Sequence, residues 1–459
     1  MKNNTFILGL APTRRDTRDF ELHFARERKA AAEKRTRKIA GEIGNVDVVN
    51  IDFINEEGLL IFPEDAELVA KHFIEKGVDA VFIPHVNFGS EEAVALLGKL
   101  VGKPVLLWGP RDEAPPSTGP RQTDTQCGLF ASGMVLDRYN VPFTYLENCW
   151  LDSPLLDEGL ERFIRTANVV KTFNSLRIGQ ISVRPRTFLT VKVNENDLLE
   201  RFGINIVTID TTEIMAEINR VLEKKSELMQ EIYNGLCNDY DLSEMKTETV
   251  ENIAAMEAAI IGLSEKYGIN AFASECWRTF SVPFGIMPCS GFADLIQRNL
   301  PVACEGDIHG AISSALLSAA TMGQKPHFLA DLTIRHPKND NAELLWHCGS
   351  CPANLAKKGV KPKMKQCLGQ FEIEGGDITV CRFGESHGVY KLFSGEGRAV
   401  DGPATNGNYL WFETNDWPKW EARLVKGPYI HHISIIHGKY ASILRDACEY
   451  LKIEADYIE

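Results

Sequence analysis

Potential oxygen and nitrogen ligands for a divalent cation gather in the last third of this chain. They are Glu305 and Asp307 in Cys304-Glu305-Gly306-Asp307, Asp331 closing Phe328-Leu329-Ala330-Asp331, His347 in Trp346-His347-Cys348-Gly349, and the pair His431-His432. Two carboxylates and an imidazole can hold such an ion and still leave positions open for substrate oxygens, which is how a cation polarises a sugar's carbonyl. Each residue also has an ordinary structural use. Asp307 precedes the helix-forming stretch 311–320 and could cap it, because helix N-termini favour negative charge. Asp331 could ligate or cap, and His347 lies in a segment apolar enough for a buried, hydrogen-bonded histidine. If His431 and His432 share a strand, alternation sends only one of them into a given pocket. Glu305, two residues before Asp307 and followed by further ligand types, tips the group towards a site on a polyol.

Other chemistries find less support. Cys348 and Cys351 make a C-x-x-C spacing without a second pair at zinc-site distance. No Gly-x-Gly-x-x-Gly follows a first strand, which disfavours a nicotinamide or flavin cofactor, and no Gly-x-Ser-x-Gly elbow occurs. A net charge of −13 with 50 scattered Lys and Arg argues against a nucleic-acid partner. The start Met1-Lys2-Asn3-Asn4-Thr5 lacks a signal-peptide pattern, no apolar run reaches membrane-span length, and eleven cysteines read as reduced thiols. The expected location is the cytoplasm, with no membrane partner.

At 459 residues the chain exceeds the size of one growing core, so two or three domains are expected. Short apolar runs at 6–11, 48–52, 78–84 and 104–108 alternate with helical stretches at 20–41, 66–77 and 91–101, the pattern of a parallel sheet covered on both faces. Ligands in such sheets bind at loops after strand C-termini, here those of Arg14, His85 and the long segment 109–126 containing Arg111. A second α/β unit begins near Leu176, with strands at 177–183 and 203–210, one long polar helix from 212 to about 234, and a helix at 252–267. After about 325 the pattern becomes short strands between Gly and Pro turns, such as 378–383, 409–412 and 432–436, with a closing helix at 440–451. The expected fold is α/β, two doubly wound parallel-sheet domains at 1–174 and 175–324, then a β-rich, barrel-like domain at 325–459.

Several words in order resemble the L-fucose/L-arabinose isomerase family, in its shorter branch. They are Pro-Val-Ala-Cys-Glu-Gly-Asp-Ile-His-Gly-Ala at 301–311, Phe-Leu-Ala-Asp at 328–331, His-Cys-Gly at 347–349 and Gly-Pro-Tyr-Ile-His-His at 427–432, with Arg-Ile-Gly-Gln-Ile-Ser-Val-Arg-Pro at 177–185 and Ser-Glu-Cys-Trp at 274–277. The resemblance implies two Rossmann-like domains before the β-rich one, and a cytoplasmic ketol isomerase working through a cis-enediol with Mn²⁺, or else Co²⁺ or Mg²⁺. It also implies a trimer- or hexamer-based homo-oligomer with active sites between subunits, where Arg14, His85 and Arg111 of a neighbour would meet the sugar. His432 matches the family's metal histidine. Glu305 matches the arabinose-isomerase pattern and Asp307 the fucose-isomerase pattern for one carboxylate. For the other, upstream catalytic carboxylate, Glu275 comes first, followed by Asp331 or the remaining member of the pair. The implied ligand set is thus Glu305, Asp307, Asp331, His347 and His432, with Trp277 as a further sugar contact.

The expected substrate is a free sugar of the L-fucose or L-arabinose type. Two alternatives stand beside it: an isomerase retuned to an anionic sugar, whose sulfonate or phosphate could meet Arg14, Arg15, Arg111, Arg121 or Arg184, and a non-catalytic sugar-binding or sensing protein on the same fold.

Overall fold

Hydrophobic strands buried on both faces form the centre of the first sheet. A computed structural model describes residues 5–15, 19–118, 121 and 123–458. Residues Met1 to Asn4, and Gly119, Pro120 and Gln122 of the 109–126 loop, lie outside the described residues. The chain forms two compact units, one ending at Asn168 and the other running from Val169 to the C-terminus.

In the first unit, β1 (Phe6–Leu10), β2 (Val46–Val49), β3 (Ala80–Pro84), β4 (Val105–Trp108) and β5 (Phe143–Tyr145) form one parallel sheet in the order β2-β1-β3-β4-β5. The strand order reverses direction between β1 and β3, the point where crossovers leave a crevice at the strands' carboxyl ends. Arg14 and His85 occupy the loops after those two strands, where Thr13 bridges to His85.

The second unit opens with another parallel sheet, β6 (Arg177–Ile181), β7 (Asn205–Ile209), β8 (Ala271–Ser274) and β9 (Val302–Cys304), in the order β7-β6-β8-β9. The single long helix expected from 212 to about 234 is two helices, Thr211–Lys224 and Glu227–Asp239. Lys225 takes a left-handed conformation that ends the first, and the Ser226 side chain accepts from Met229 N to cap the second. Lys at 224 and 225 and Glu at 227 are good helix formers, so propensity could not announce the break; the capping serine was the available signal.

Nine further strands follow: β10 (Phe328–Arg335), β11 (Ala342–His347), β12 (Lys363–Lys365), β13 (Leu368–Glu372), β14 (Asp377–Ser386), β15 (Val389–Val400), β16 (Asn408–Glu413), β17 (His432–His437) and β18 (Glu454–Ile458). Strands β16-β11-β10-β17-β14-β15 are antiparallel neighbours, and β15 pairs back onto β16, so six strands close into a barrel. Closure pairs the edges of these six strands with each other, while β13 with β12 attaches to β16, and β18 attaches to β15.

The helix Ile308–Ala320 connects this barrel to the second parallel sheet. It is apolar or small on every face and nearly all of it is buried, as befits a helix with protein on all sides. Its small residues permit close approach to the barrel: Ser313 Oγ accepts from Phe383 N of β14 at 2.8 Å, and Ser314 Oγ lies 3.0 Å from Ser434 Oγ of β17. This helix therefore carries its first residues to the mouth of β17, where His432 begins.

Candidate active site

The carboxyl ends of β6, β8 and β9 carry the loops that meet the barrel. After β9, Glu305 and Gly306 are both left-handed (φ 63° and 70°), a conformation that costs a non-glycine residue roughly 1 kcal/mol or more. That turn aims Glu305 outward and leaves Asp307 as the N-cap of Ile308–Ala320, where Oδ1 accepts from Gly310 N at 2.9 Å. The capping role read from the sequence is present, but Asp307 does more. Its Oδ2 lies 2.8 Å from His432 Nδ1, and Arg382 of β14 grips both oxygens at 2.5 and 3.0 Å. These contacts use the lone-pair positions a carboxylate offers. Asp307 and Arg382 are buried at 0% and 2% side-chain exposure, and Arg382 with His432 holds the Asp307 carboxyl well below the usual range despite its burial.

His432 faces the other carboxylates with its second nitrogen. Asp331 on β10 is its cross-strand partner. His432 Nε2 stands 3.0 Å from Glu305 Oε2 and 3.6 Å from Asp331 Oδ1. The 3.0 Å approach lacks hydrogen-bonding geometry, so Nε2 and Asp331 Oδ1 are both buried without a hydrogen-bond partner. Buried polar atoms in proteins are almost always satisfied, and two unsatisfied ligand-type atoms converging on one point fit a cation. Ligand atoms of Asp331, His431 and His432 lie within 4.8 Å of one another.

β17 begins only at His432, so His431 escapes strand alternation, and its Nε2 comes within 3.9 Å of Asp331 Oδ1. Both histidines thus approach one carboxylate. His347, on β11, is buried with Nδ1 3.4 Å from Cys348 Sγ and 3.3 Å from Ser350 Oγ.

The titrations follow from this crowding. Burial disfavours the His432 cation, but Asp307, Glu305 and Asp331 outweigh it and lift His432 to about 9. Burial likewise opposes the His347 cation, yet Cys348, Asp331 and Glu305 raise it to about 10. Burial would raise Glu305, but His432, His347 and the Trp277 N–H leave it below the usual range. For Asp331 burial wins over His347, His432 and His431, so its carboxyl is pushed up. The sign of a pH effect follows. His432, raised above its unfolded value, contributes stability fully present below about 6.5 and lost as pH rises through about 9, on the order of 3 kcal/mol. Cation binding instead needs the neutral imidazole and should strengthen over that same interval. Melting of the metal-free chain, set against Mn²⁺ titrations from pH 6 to 9.5, should show these opposite trends.

Glu275 and Trp277 occupy the loop after β8. The Glu275 oxygens accept from the backbone N–H groups of Trp277, Arg278 and Thr279 and from Thr279 Oγ1, at 2.6–3.1 Å. This collar presents the half-exposed Trp277, whose Nε1 donates to Glu305 Oε1 at 3.0 Å and whose ring meets Phe188 edge-on at 5.2 Å. Phe188 belongs to the loop after β6 and also lies 6.3 Å from the rings of His431 and His432. In that loop Arg184 packs against Gly306 and donates to the carbonyls of Pro185 and Phe188.

Residues expected from the first unit have their own surroundings. Arg14 is buried in a two-pronged pair with Glu57 at 2.7 and 2.8 Å. His85 Nε2 lies 2.8 Å from Ser132 Oγ, and burial lowers its pKa to about 4. Arg111 lays its guanidinium 5.4 Å from the Trp150 ring centre, and exposed Arg121 pairs with Asp124. Sequence reasoning missed Arg382, Phe188 and the second role of Asp307. Arg382 sits in the strand-like run Thr379-Val380-Cys381-Arg382-Phe383, where a charge amid apolar residues was the signal to read.

The closest glycine approach in this cluster is at Gly310. A Cβ there would lie 2.5 Å from Asp307 Oδ2 and 3.3 Å from Arg382 Nη1. Alanine gains about 1 kcal/mol in helix propensity, whereas overpacking costs about 1–3 kcal/mol. With Asp307 pinned by its contacts the steric cost wins, so Gly310→Ala is expected to melt at lower temperature in a thermal scan.

Known proteins resemble this chain over most of its length. A family model described as the N-terminal domain of fucose/sulfoquinovose isomerase matches residues 9–174, and one described as the C-terminal domain of L-fucose isomerase matches residues 345–459. Curated relatives include the sulfoquinovose isomerase of Alkalicoccus urumqiensis, 27% identical over 355 residues that span 75% of this chain and 77% of that protein. The sulfoquinovose isomerase of Clostridium sp. (strain MSTE9) is 24% identical over 410 residues, 83% of this chain and 86% of that protein. Among solved structures, a solute-binding protein of an ABC transporter from Bacillus halodurans C-125 with bound myo-inositol matches 70% of this chain and 90% of its own, at 12% identity and a TM-score of 0.17, too low to carry an argument. Among the described residues no helix is long and apolar enough to cross a membrane, and the cysteines are free. With both family domains matched and relatives aligned over three quarters of its length, this chain belongs to the L-fucose isomerase-like family of aldose–ketose isomerases.

Proposed function

We propose that this chain interconverts a sulfonated aldohexose of the sulfoquinovose type and its ketose, using a divalent cation held by Glu305, Asp331 and His432, with His431 and His347 beside them. The observation that carries the metal reading is the pair of buried, unpartnered atoms, His432 Nε2 and Asp331 Oδ1, that converge beside Glu305. The names of the relatives support the anionic substrate in preference to L-fucose or L-arabinose.

A cation bound there, Mn²⁺ or else Co²⁺ or Mg²⁺, would polarise the oxygens on C1 and C2 of the open-chain sugar. In this proposal Asp331, whose Oδ1 has no hydrogen-bond partner, takes the proton from C2 and returns it at C1 through a cis-enediol. Glu305, whose Oε1 already accepts from Trp277 Nε1, is assigned the fixed charge beside the cation. Asp307 is assigned to support His432, and Glu275 to shape the turn that presents Trp277, because their oxygens are already engaged. Trp277 and Phe188 offer a wall for the sugar's apolar face. Arg184 beside Gly306, and exposed Arg111 supplied by a neighbouring subunit of a trimer or hexamer, complete the proposed substrate contacts, while Arg14 and His85, buried against Glu57 and Ser132, are assigned to shape the loops of that neighbour. Exposed Val183, Leu189 and Val282 on or near the site loops support such an assembly.

The test is proton exchange followed by NMR in D₂O with Mn²⁺-loaded protein and a panel of sulfoquinovose, L-fucose, L-arabinose and D-arabinose. Deuterium at C2 of sulfoquinovose with ketose appearing supports the proposal. Exchange only with a neutral sugar overturns the substrate, and binding without exchange across the panel favours a sensor.

A further inference from the structure

We infer that Arg382 is a positioning residue for the cation site: by gripping Asp307 with both prongs, it fixes the tautomer and ring orientation of His432. The inference rests on the metal reading above and extends it to Arg382 on β14, the strand paired with β17; the hydrogen bonds of Arg382 to the site run to Asp307. Three observations carry it.

First, the grip is two-pronged and buried. Arg382 Nη1 and Nη2 meet Asp307 Oδ2 and Oδ1 at 2.5 and 3.0 Å, a fork geometry that sets the plane of the carboxylate as well as its position. Second, with Gly310 N donating to Oδ1 as well, the one remaining direction at Oδ2 is filled by His432 Nδ1 at 2.8 Å. An ionised carboxylate only accepts, so Nδ1 carries a hydrogen, and in the neutral imidazole that a cation requires this leaves the Nε2 lone pair turned towards Glu305 and Asp331. Third, the alternative of a mere helix cap leaves the fork unexplained. A cap needs one oxygen and one backbone N–H, and a helix N-terminus already welcomes the negative charge without a buried guanidinium. Carboxylates behind metal-bound histidines typically change cation affinity 10–100-fold when altered. Here the carboxylate is itself held, so the orientation of His432 is set from β14.

The experiment measures Mn²⁺ affinity from the EPR signal of free ion, and the visible spectrum of the Co²⁺-loaded protein, for the full-length wild-type chain, Arg382→Lys, Arg382→Met and the double variant Arg382→Met/Asp307→Asn. Circular dichroism reports folding. Arg382→Met should bind Mn²⁺ about 10–100-fold more weakly with an altered Co²⁺ spectrum, and Arg382→Lys should fall between it and wild type. The double variant removes both buried charges, so it should fold even where Arg382→Met does not, yet remain weak for Mn²⁺. Wild-type affinity and spectrum in the folded double variant together with Arg382→Lys would overturn the role of Arg382 and leave the metal reading standing. No Mn²⁺ binding by the wild-type chain would overturn both.

Discussion

Replacing His432 with alanine is expected to abolish isomerisation and to weaken Mn²⁺ binding at least about 100-fold, the upper end of what a perturbed ligand sphere costs. The residue is fully buried and joins both halves of the site, with Nδ1 on Asp307 and Nε2 facing Glu305 and Asp331. Its loss removes the only imidazole that contacts all three carboxylates among the described residues. Metal-free protein should also lose stability below pH 6.5, where the His432 cation offsets these negative charges, and lose progressively less as pH approaches 9. Isothermal titration with Mn²⁺ and turnover assays measure the two effects. Full turnover in the variant would remove His432 from the proposed centre.

Asp331→Asn should act differently. The substitution keeps the size of the side chain and an oxygen that can still face the cation, but it cannot accept a proton from C2. We expect kcat to fall about 10²–10⁴-fold, the range for a lost general base, with a much smaller change in sugar binding. Wash-in of deuterium at C2 should disappear in step with kcat, because both need the same proton transfer. Glu305→Gln supplies the contrast: Glu305 is held ionised, so its amide should weaken cation binding first and turnover as a consequence. If Asp331→Asn exchanged the C2 proton at the wild-type rate while Glu305→Gln did not, the two roles would be reversed.

Much of this architecture was legible along the chain because it is written in local patterns. Alternating apolar runs and helical stretches identified both parallel sheets, since strands buried on two faces need continuous hydrophobic residues. Gly- and Pro-punctuated short strands identified the barrel. The ligand-type residues at 305, 331, 347 and 432 stood out because ionisable residues interrupt or follow apolar segments there, where buried charge is uncommon.

What the residues alone left open was which oxygen faces which nitrogen. Asp307 reaches Arg382 across 75 positions and His432 across 125, and no local pattern encodes a pairing at that separation. Glu305 and Asp307 look interchangeable in sequence, two acids around a glycine. The left-handed turn at 305 and 306 sends one to the opening and the other to the helix cap. His431 and His432 would part company if they shared a strand, but β17 begins at His432, and both approach Asp331. Residue type and order were enough to establish the sheets and the barrel, and to single out side chains of metal-ligand type. Barrel closure and the buried helix Ile308–Ala320 decided which of those side chains converge, because convergence depends on backbone direction and long-range packing, which propensity and periodicity do not carry.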